Sequence, residues 1–293
     1  MKKKAFIYII LAGILWGTSA IFVHYLTPYN FSSYQMAAIR GNVASVFMIA
    51  FALIKDRSIF KASLKDILLF ALVGISLYGS AALYYTSMQM TSVSTSVILL
   101  YTAPLYVAVI SALIFKERFT RVKIISVTFM LIGCCFVSGI IGGLKFNALG
   151  MLIGALSGVS YAAYNILTKI VSKRGYRPLT ITTYSYFFMG AFALIIAPPG
   201  GIIANASQKP LILTPLLITL GVVTFVLPFL LYTTSMKYLP VGTVSALGII
   251  EPMSATLFSV ILFNEKLDVF TVIGILLILL AVFLLAKTEK SEE

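Results

Sequence analysis

Apolar residues in this chain neither alternate nor keep to one helical face. They come in long runs, broken by short polar or basic connections. A run of roughly 20 apolar residues crosses a bilayer core of about 30 Å as a helix. Ten runs meet that length: 5–26, 34–54, 67–90, 93–115, 122–141, 148–171, 180–197, 211–236, 241–263 and 269–286. A transmembrane β-barrel would show alternation with a turn signal roughly every ten residues, and the chain shows neither. The pattern predicts an all-α integral membrane protein of ten transmembrane helices, with the lipid bilayer as its surroundings. No connection is long enough for a soluble domain.

Composition agrees. The 293 residues are 60% hydrophobic and 11% charged, where soluble domains carry about a quarter charged residues. The net charge of +13 has a nucleic-acid reading, but the basic residues sit in short loops between apolar runs, where they set membrane orientation. With an inner N-terminus, 18 Lys and Arg fall on the inner side: Lys2, Lys3, Lys4, Lys55, Arg57, Lys61, Lys65, Lys116, Arg118, Arg121, Lys123, Lys169, Lys173, Arg174, Arg177, Lys237, Lys287 and Lys290. The other side holds Lys145, Lys209 and Lys266, and Arg40 lies inside a run. The expectation is a plasma-membrane protein with both termini in the cytoplasm. The basic start could introduce a signal peptide, but the following run is about 20 residues long without a small-residue cleavage site, so a retained first span is expected. Cys134 and Cys135 are adjacent inside one run and imply no disulfide framework.

The chain also repeats itself. Residues 83–118 match 231–266 without a gap at an offset of 148, with 12 of 36 positions identical, among them Tyr84/Tyr232, Thr86/Thr234, Pro104/Pro252 and Glu117/Glu265. The match relates spans three and four to spans eight and nine. Extended, it pairs residues 1–144 (spans one to five) with 145–293 (spans six to ten). Outside 83–118 it weakens: Gly13 falls opposite Gly158 and Trp16 opposite Tyr161, with a small change of offset. Five spans is an odd number, so the halves must insert with opposite orientation. That is the inverted-topology repeat of secondary transporters. Gly13-xxx-Gly17 and Gly150-xxx-Gly154-xxx-Gly158 put small residues on one face of spans one and six. Such stripes let helices approach closely in lipid and suggest interior positions in the bundle.

Leu15-Trp16-Gly17 in the first span, and a proline followed thirteen residues later by glutamate in each half (Pro104 to Glu117, Pro252 to Glu265), complete a pattern. Together with ten spans in two inverted halves, it resembles the EamA-type members of the drug/metabolite transporter superfamily, over essentially the whole chain. The resemblance implies secondary transport, usually export, of small metabolites or amino acids. It also implies a central cavity lined by spans one, three, four, six, eight and nine. On those helices Trp16, Ser80, Tyr84, Thr86, Tyr101, Tyr161, Tyr164, Asn165, Tyr232 and Thr234 would form a mostly apolar pocket with a few polar handles. It does not select a substrate.

The residues themselves raise further candidates. Glu251 is the only carboxylate deep inside an apolar run. A carboxylate near the bilayer midplane is costly and marks function by default. It could bind a substrate ammonium group, take up a coupling proton, or form a structural ion pair with Arg40. Its repeat mate is Ala103, so the repeat architecture does not need the acid. Arg40, seven residues into span two, could clasp a substrate carboxylate, pair with Glu251, or snorkel to the interface. The structural readings are preferred for Arg40, because the implied cavity does not use span two. Pro104, Pro228 and Pro252 each remove a backbone N–H and clash with the carbonyl four residues back, which makes them candidate hinges. Pro228 has Ser80 opposite it, so span eight would bend where span three need not. His24, the only histidine, sits near the outer end of span one and reads as an interfacial anchor. Lys169 reads as a cytoplasmic anchor.

Other classes fit less well. No GxxxxGK[ST] is present, so direct ATP drive is not expected. An intramembrane enzyme would need a nucleophile–histidine pair or clustered metal ligands, and the sequence offers neither; no cofactor or metal is expected. A channel or uncoupled uniporter is the closest alternative. The expected partner is a small-molecule substrate, a metabolite or amino acid, with a proton as candidate coupling ion.

Overall fold

A computed structural model describes residues 1–91, 93–117, 120–137, 147–263 and 268–291. Among them no strand occurs, and the chain runs through fifteen α-helices. These are α1 (Lys2–Gly17), α2 (Ser19–Leu26), α3 (Ser33–Lys55), α4 (Leu64–Met90), α5 (Val93–Leu100), α6 (Ala103–Phe115), α7 (Arg121–Val137) and α8 (Ala148–Lys173). They continue with α9 (Pro178–Ile196), α10 (Pro199–Ala206), α11 (Pro210–Gly221), α12 (Leu227–Met236), α13 (Val241–Leu247), α14 (Ile250–Phe263) and α15 (Val269–Ser291). Arg118, Lys145, Glu265 and Lys266, the end of the fifth predicted span at 138–141, and the 144/145 boundary lie outside the described residues.

Helix starts follow local chemistry. Ser32 and Gln35 form a reciprocal capping box before α3. The Ser63 side chain accepts from Asp66 N at α4, and Asn147 Oδ1 accepts from Gly150 N at α8. Proline at the first turn starts α9, α10 and α11.

Eight helical stretches among the described residues are long and apolar enough to cross a membrane: Lys2–Tyr29, Ser33–Ile54, Leu64–Met90, Thr95–Phe115, Ala148–Lys173, Pro178–Ile196, Pro210–Met236 and Val241–Phe263. The sequence pattern predicts ten. The difference lies in α7 and α15. α7 has 17 described residues and begins with Arg121 and Lys123. The apolar part of α15, Val269–Leu285, lies within a helix of 23 residues.

Four of the eight stretches are interrupted. The first breaks at Thr18, between α1 and α2. The fourth breaks at Tyr101–Thr102, just ahead of Pro104. The stretch through Val241–Phe263 breaks at Gly248–Ile249, just ahead of Pro252. Between α11 and α12 the helix widens into a π-turn at Val222–Val226, immediately before Pro228; α4, which holds Ser80, runs unbroken. Carbonyls freed at depth need partners. Gly248 O receives the Glu251 N–H at 3.0 Å, and Phe225 O receives the Tyr186 hydroxyl at 2.9 Å.

Helix packing runs chiefly between α4 and α8, α7 and α15, α1 and α12, α3 and α9, α4 and α9, and α1 and α14, with α5 and α6 against α8. The glycine stripes make the closest approaches. A Cβ on Gly17 would lie 2.5 Å from Ser254 Cβ, and one on Gly158 would lie 2.8 Å from Leu99 O. Thus α1 seats against α14, and α8 against α5, at backbone distance. These two seats bring the breaks at Tyr101–Thr102 and Gly248–Ile249 to the middle of the bundle.

Candidate functional site

A cavity of about 140 Å³ lies at that centre. At roughly 10–15 Å³ for each water centre, it has room for several waters or a small solute. Its wall is largely aromatic: Trp16 from α1, Tyr84 and Tyr85 from α4, Tyr161 from α8, and Phe225 and Phe229 beside the π-turn. Tyr101 and Gly248 come from the two helix breaks, and Arg40, Met189 and Ser80 complete most of the polar and flexible lining. Trp16 packs edge-on against Phe229 with centroids 4.9 Å apart. Its indole Nε1 is buried and has no hydrogen-bond partner.

The carboxylate of Glu251 sits in the first turn of α14, where the positive end of a half-helix favours an anion. Residue 251 is about halfway along Val241–Phe263. Tyr101 donates its hydroxyl to Glu251 Oε2 at 2.9 Å. Arg40 donates from Nη2 to the Tyr85 hydroxyl at 2.7 Å. The ion pairs formed among the described residues, Arg174–Asp66 and Arg177–Asp56, involve neither Arg40 nor Glu251. One cavity therefore holds a guanidinium and a carboxyl group, each held by a tyrosine and not by the other. They remain within electrostatic reach, and each keeps hydrogen-bonding capacity toward a third species.

The candidates divide. Trp16, Ser80, Tyr84, Tyr101, Tyr161, Glu251 and Arg40 line the cavity. Tyr164, Asn165 and Tyr232 do not. They form a buried layer behind the wall, in which Tyr232 donates to Asn165 Oδ1 and Tyr164 stacks on Tyr161 at 5.7 Å. Thr86 bonds the Tyr34 hydroxyl at 2.6 Å, and Thr234 bonds back to Leu230 O. Pro104, Pro228 and Pro252 stand at helix interruptions beside the cavity, outside its lining. His24 stacks on Phe263 with ring centroids 3.9 Å apart. Lys169 donates to the carbonyls of Met236 and Leu239, so it holds the C-terminal end of α12.

Sequence reasoning missed Tyr85, Met189, Thr224, Phe225 and Phe229, and expected no lining from span two. A guanidinium at depth needs a partner, and that is the signal that points to a polar group such as Tyr85. Nothing in the sequence marks the face of α9 that carries Met189. No group of three or more His, Cys, Asp or Glu that could hold a metal occurs among the described residues.

Known proteins share this architecture. A protein of Archaeoglobus fulgidus named an uncharacterized transporter is 29% identical over 279 residues, covering 94% of each chain. The uncharacterized transporter YyaM of Bacillus subtilis is 28% identical over 295 residues, covering 96% of this chain and 93% of its own. A protein of known crystal structure superposes over 100% of both chains with a TM-score of 0.80 at 17% identity, which is a likeness of fold. The sequence profile of the EamA-like transporter family matches residues 3–139 and again residues 148–287. The chain is a multi-pass membrane transporter and belongs to the EamA-like transporter family.

Proposed function

We propose that this transporter is a secondary carrier that moves a small metabolite, an amino acid above all, by alternating access around the central cavity, with export as its direction and a proton as its coupling ion. The observation that carries the reading is the pair of opposite charges in one cavity, Arg40 on Tyr85 and Glu251 on Tyr101, with no ion pair between them. A solute bearing a carboxylate and an ammonium group would satisfy both. Glu251 alone would serve to load a proton when the solute has left.

The inverted repeat of 1–144 and 145–293, with ten spans, both termini in the cytoplasm and the plasma membrane as location, is part of the same reading. Its support lies in the packing. Exchange the halves helix for helix, and the α4–α8 contact becomes α1–α12. Likewise α1–α14 becomes α8 against α5 and α6, α4–α9 becomes α3–α11, and α3–α9 and α7–α15 map onto themselves. A pseudo-twofold axis in the membrane plane gives that closed set. The charge asymmetry of the loops supports the orientation.

The test uses purified protein. A thermal-stability screen with amino acids first identifies the ligand, because binding to the native state raises apparent stability by mass action. Proteoliposomes loaded with that ligand are then assayed with and without a pH gradient. Glu251→Gln should leave folded protein and abolish gradient-driven transport. Normal coupled transport by that variant would defeat the coupling role, and channel-like flux without counterflow would favour the uncoupled alternative.

A further inference from the structure

The turn at 237–240 joins α12 to α13, and it is gripped from both sides. Lys169, on α8, donates to Met236 O and to Leu239 O, the latter at 2.9 Å. Glu117, just past α6, accepts from Val241 N at 3.1 Å and Gly242 N at 3.5 Å. A cation thus sits on the negative end of α12 and an anion on the positive end of α13, each complementing its helix dipole. Lys116, in the left-handed conformation at φ 56°, ends α6 and turns Glu117 toward α13. The end of α12 that leads into this turn also holds α1, because Ser235 Oγ donates to Ala5 O at 2.9 Å. This end of the bundle is sealed: Tyr232, Met236, Val241 and Val244 are fully buried.

The repeat supplies a counterpart at the opposite end. Gly13 and Gly158, and Trp16 and Tyr161, stand 145 positions apart, and so do His24 and Lys169. The geometry keeps this register. A Cβ on Gly13 would meet Ile250 Cβ at 2.7 Å and one on Gly158 would meet Thr102 Oγ1 at 2.9 Å, and Thr102 and Ile250 are mates at 148. His24 is therefore the symmetry mate of Lys169. The mates of its two acceptor residues are Met88 and Thr91, at the C-terminal end of α4. His24 does not engage them here; it stacks on Phe263 of α14.

We propose that Lys169 and His24 are alternating latches. In the conformer described, Lys169 holds the α12 end closed while His24 is parked on Phe263. In the opposite conformer, His24 donates to the C-terminal carbonyls of α4, and Lys169 releases those of α12. An imidazole in either charge state carries an N–H donor for this. The inference rests on the alternating-access reading of the two halves.

The experiment needs no substrate. In a background of Cys134→Ala and Cys135→Ala, single cysteines report each side: Ala246→Cys in the sealed end and Ala81→Cys in the cavity wall. Detergent-purified protein is labelled with a polar maleimide. Lys169→Met should raise the Ala246→Cys rate by about tenfold or more and lower the Ala81→Cys rate, the shift expected when charge-assisted hydrogen bonds to one conformer are removed. Lys169→Arg, which keeps charge and donors, should stay near the parent rates. His24→Phe, which keeps the stack and loses the donor, should raise the Ala81→Cys rate, and adding it to Lys169→Met should bring both rates back toward the parent. An unchanged Ala246→Cys rate overturns the proposal. So does a rise at both positions together, or a double variant that fails to reverse. If Lys169→Met does not fold, the His24→Phe arm decides, and an unchanged Ala81→Cys rate overturns the latch. Reciprocal labelling in a protein that carries no solute would sink the transport reading and leave the latch standing.

Discussion

Gly17→Ala adds one methyl group where α1 meets α14. The new Cβ would lie 2.5 Å from Ser254 Cβ, 2.8 Å from Ala255 N and 3.0 Å from Ser254 C, where ordinary contact begins at 3.4 Å. Two of those three atoms are backbone, so no rotamer change can clear them. The helices must part by nearly 1 Å, or α14 must shift along its axis. Two effects compete. Alanine in a helix is favoured over glycine by up to about 1 kcal/mol, while overpacking a well-packed seam costs about 1–3 kcal/mol. The clash with backbone should win, for a net loss of about 1–2 kcal/mol. Gly200→Ala is the control. Gly200 lies in α10 and its Cβ would meet nothing within 4 Å, so only the propensity gain remains. Thermal unfolding of both variants in one detergent should show Gly17→Ala lower than the parent by several degrees and Gly200→Ala unchanged or higher. Because α14 carries Glu251, the Gly17 variant should also bind the identified ligand more weakly. Equal melting temperatures for the two variants would refute the claim that the α1–α14 seam is set by contact at Gly17.

Other outcomes follow from particular contacts. Tyr232→Phe leaves Asn165 Oδ1 without its buried hydroxyl donor, at a cost of about 1–3 kcal/mol; thermal unfolding should show the loss, while ligand affinity holds because both residues lie behind the cavity wall. Tyr85→Phe removes the hydroxyl that holds Arg40; titration of the identified ligand should show weaker binding, and the melting temperature should fall because the guanidinium loses its partner at depth. In the loop before α4, hydrogen bonds from Ser58, then from Arg177, hold the Asp56 carboxyl below its usual range. A depressed folded-state pKa gives stability that is complete above the unfolded value of about 3.9 and is lost as pH falls through the folded value. Asp56→Asn should therefore lower the melting temperature at neutral pH and flatten the acid limb of the profile below about pH 4, where parent and variant converge.

The long apolar runs made the helices legible, because backbone groups in lipid have few ways to be satisfied other than a helix. Stretches as long as 64–90 left no ambiguity of period. The glycine stripes and the proline positions were legible for the same kind of reason: close approach and a missing N–H are local facts. Exposure is not local. Tyr84 and Tyr232 are identical in the repeat, yet Tyr84 lines the cavity while Tyr232 is fully buried on Asn165. A sequence match assigns equivalent positions, but which mate meets the cavity is set by packing across the whole bundle. The same holds for Lys169 and His24, one bonded to helix-end carbonyls and the other stacked on a ring. Two halves with equivalent positions and unequal contacts are what alternating access requires, since identical contacts at both ends would leave the cavity closed to both sides or open to both. Under the proposed alternating access, the differences between mates carry the mechanistic content. In the opposite conformer Tyr232 should come to the cavity and Tyr84 should withdraw from it.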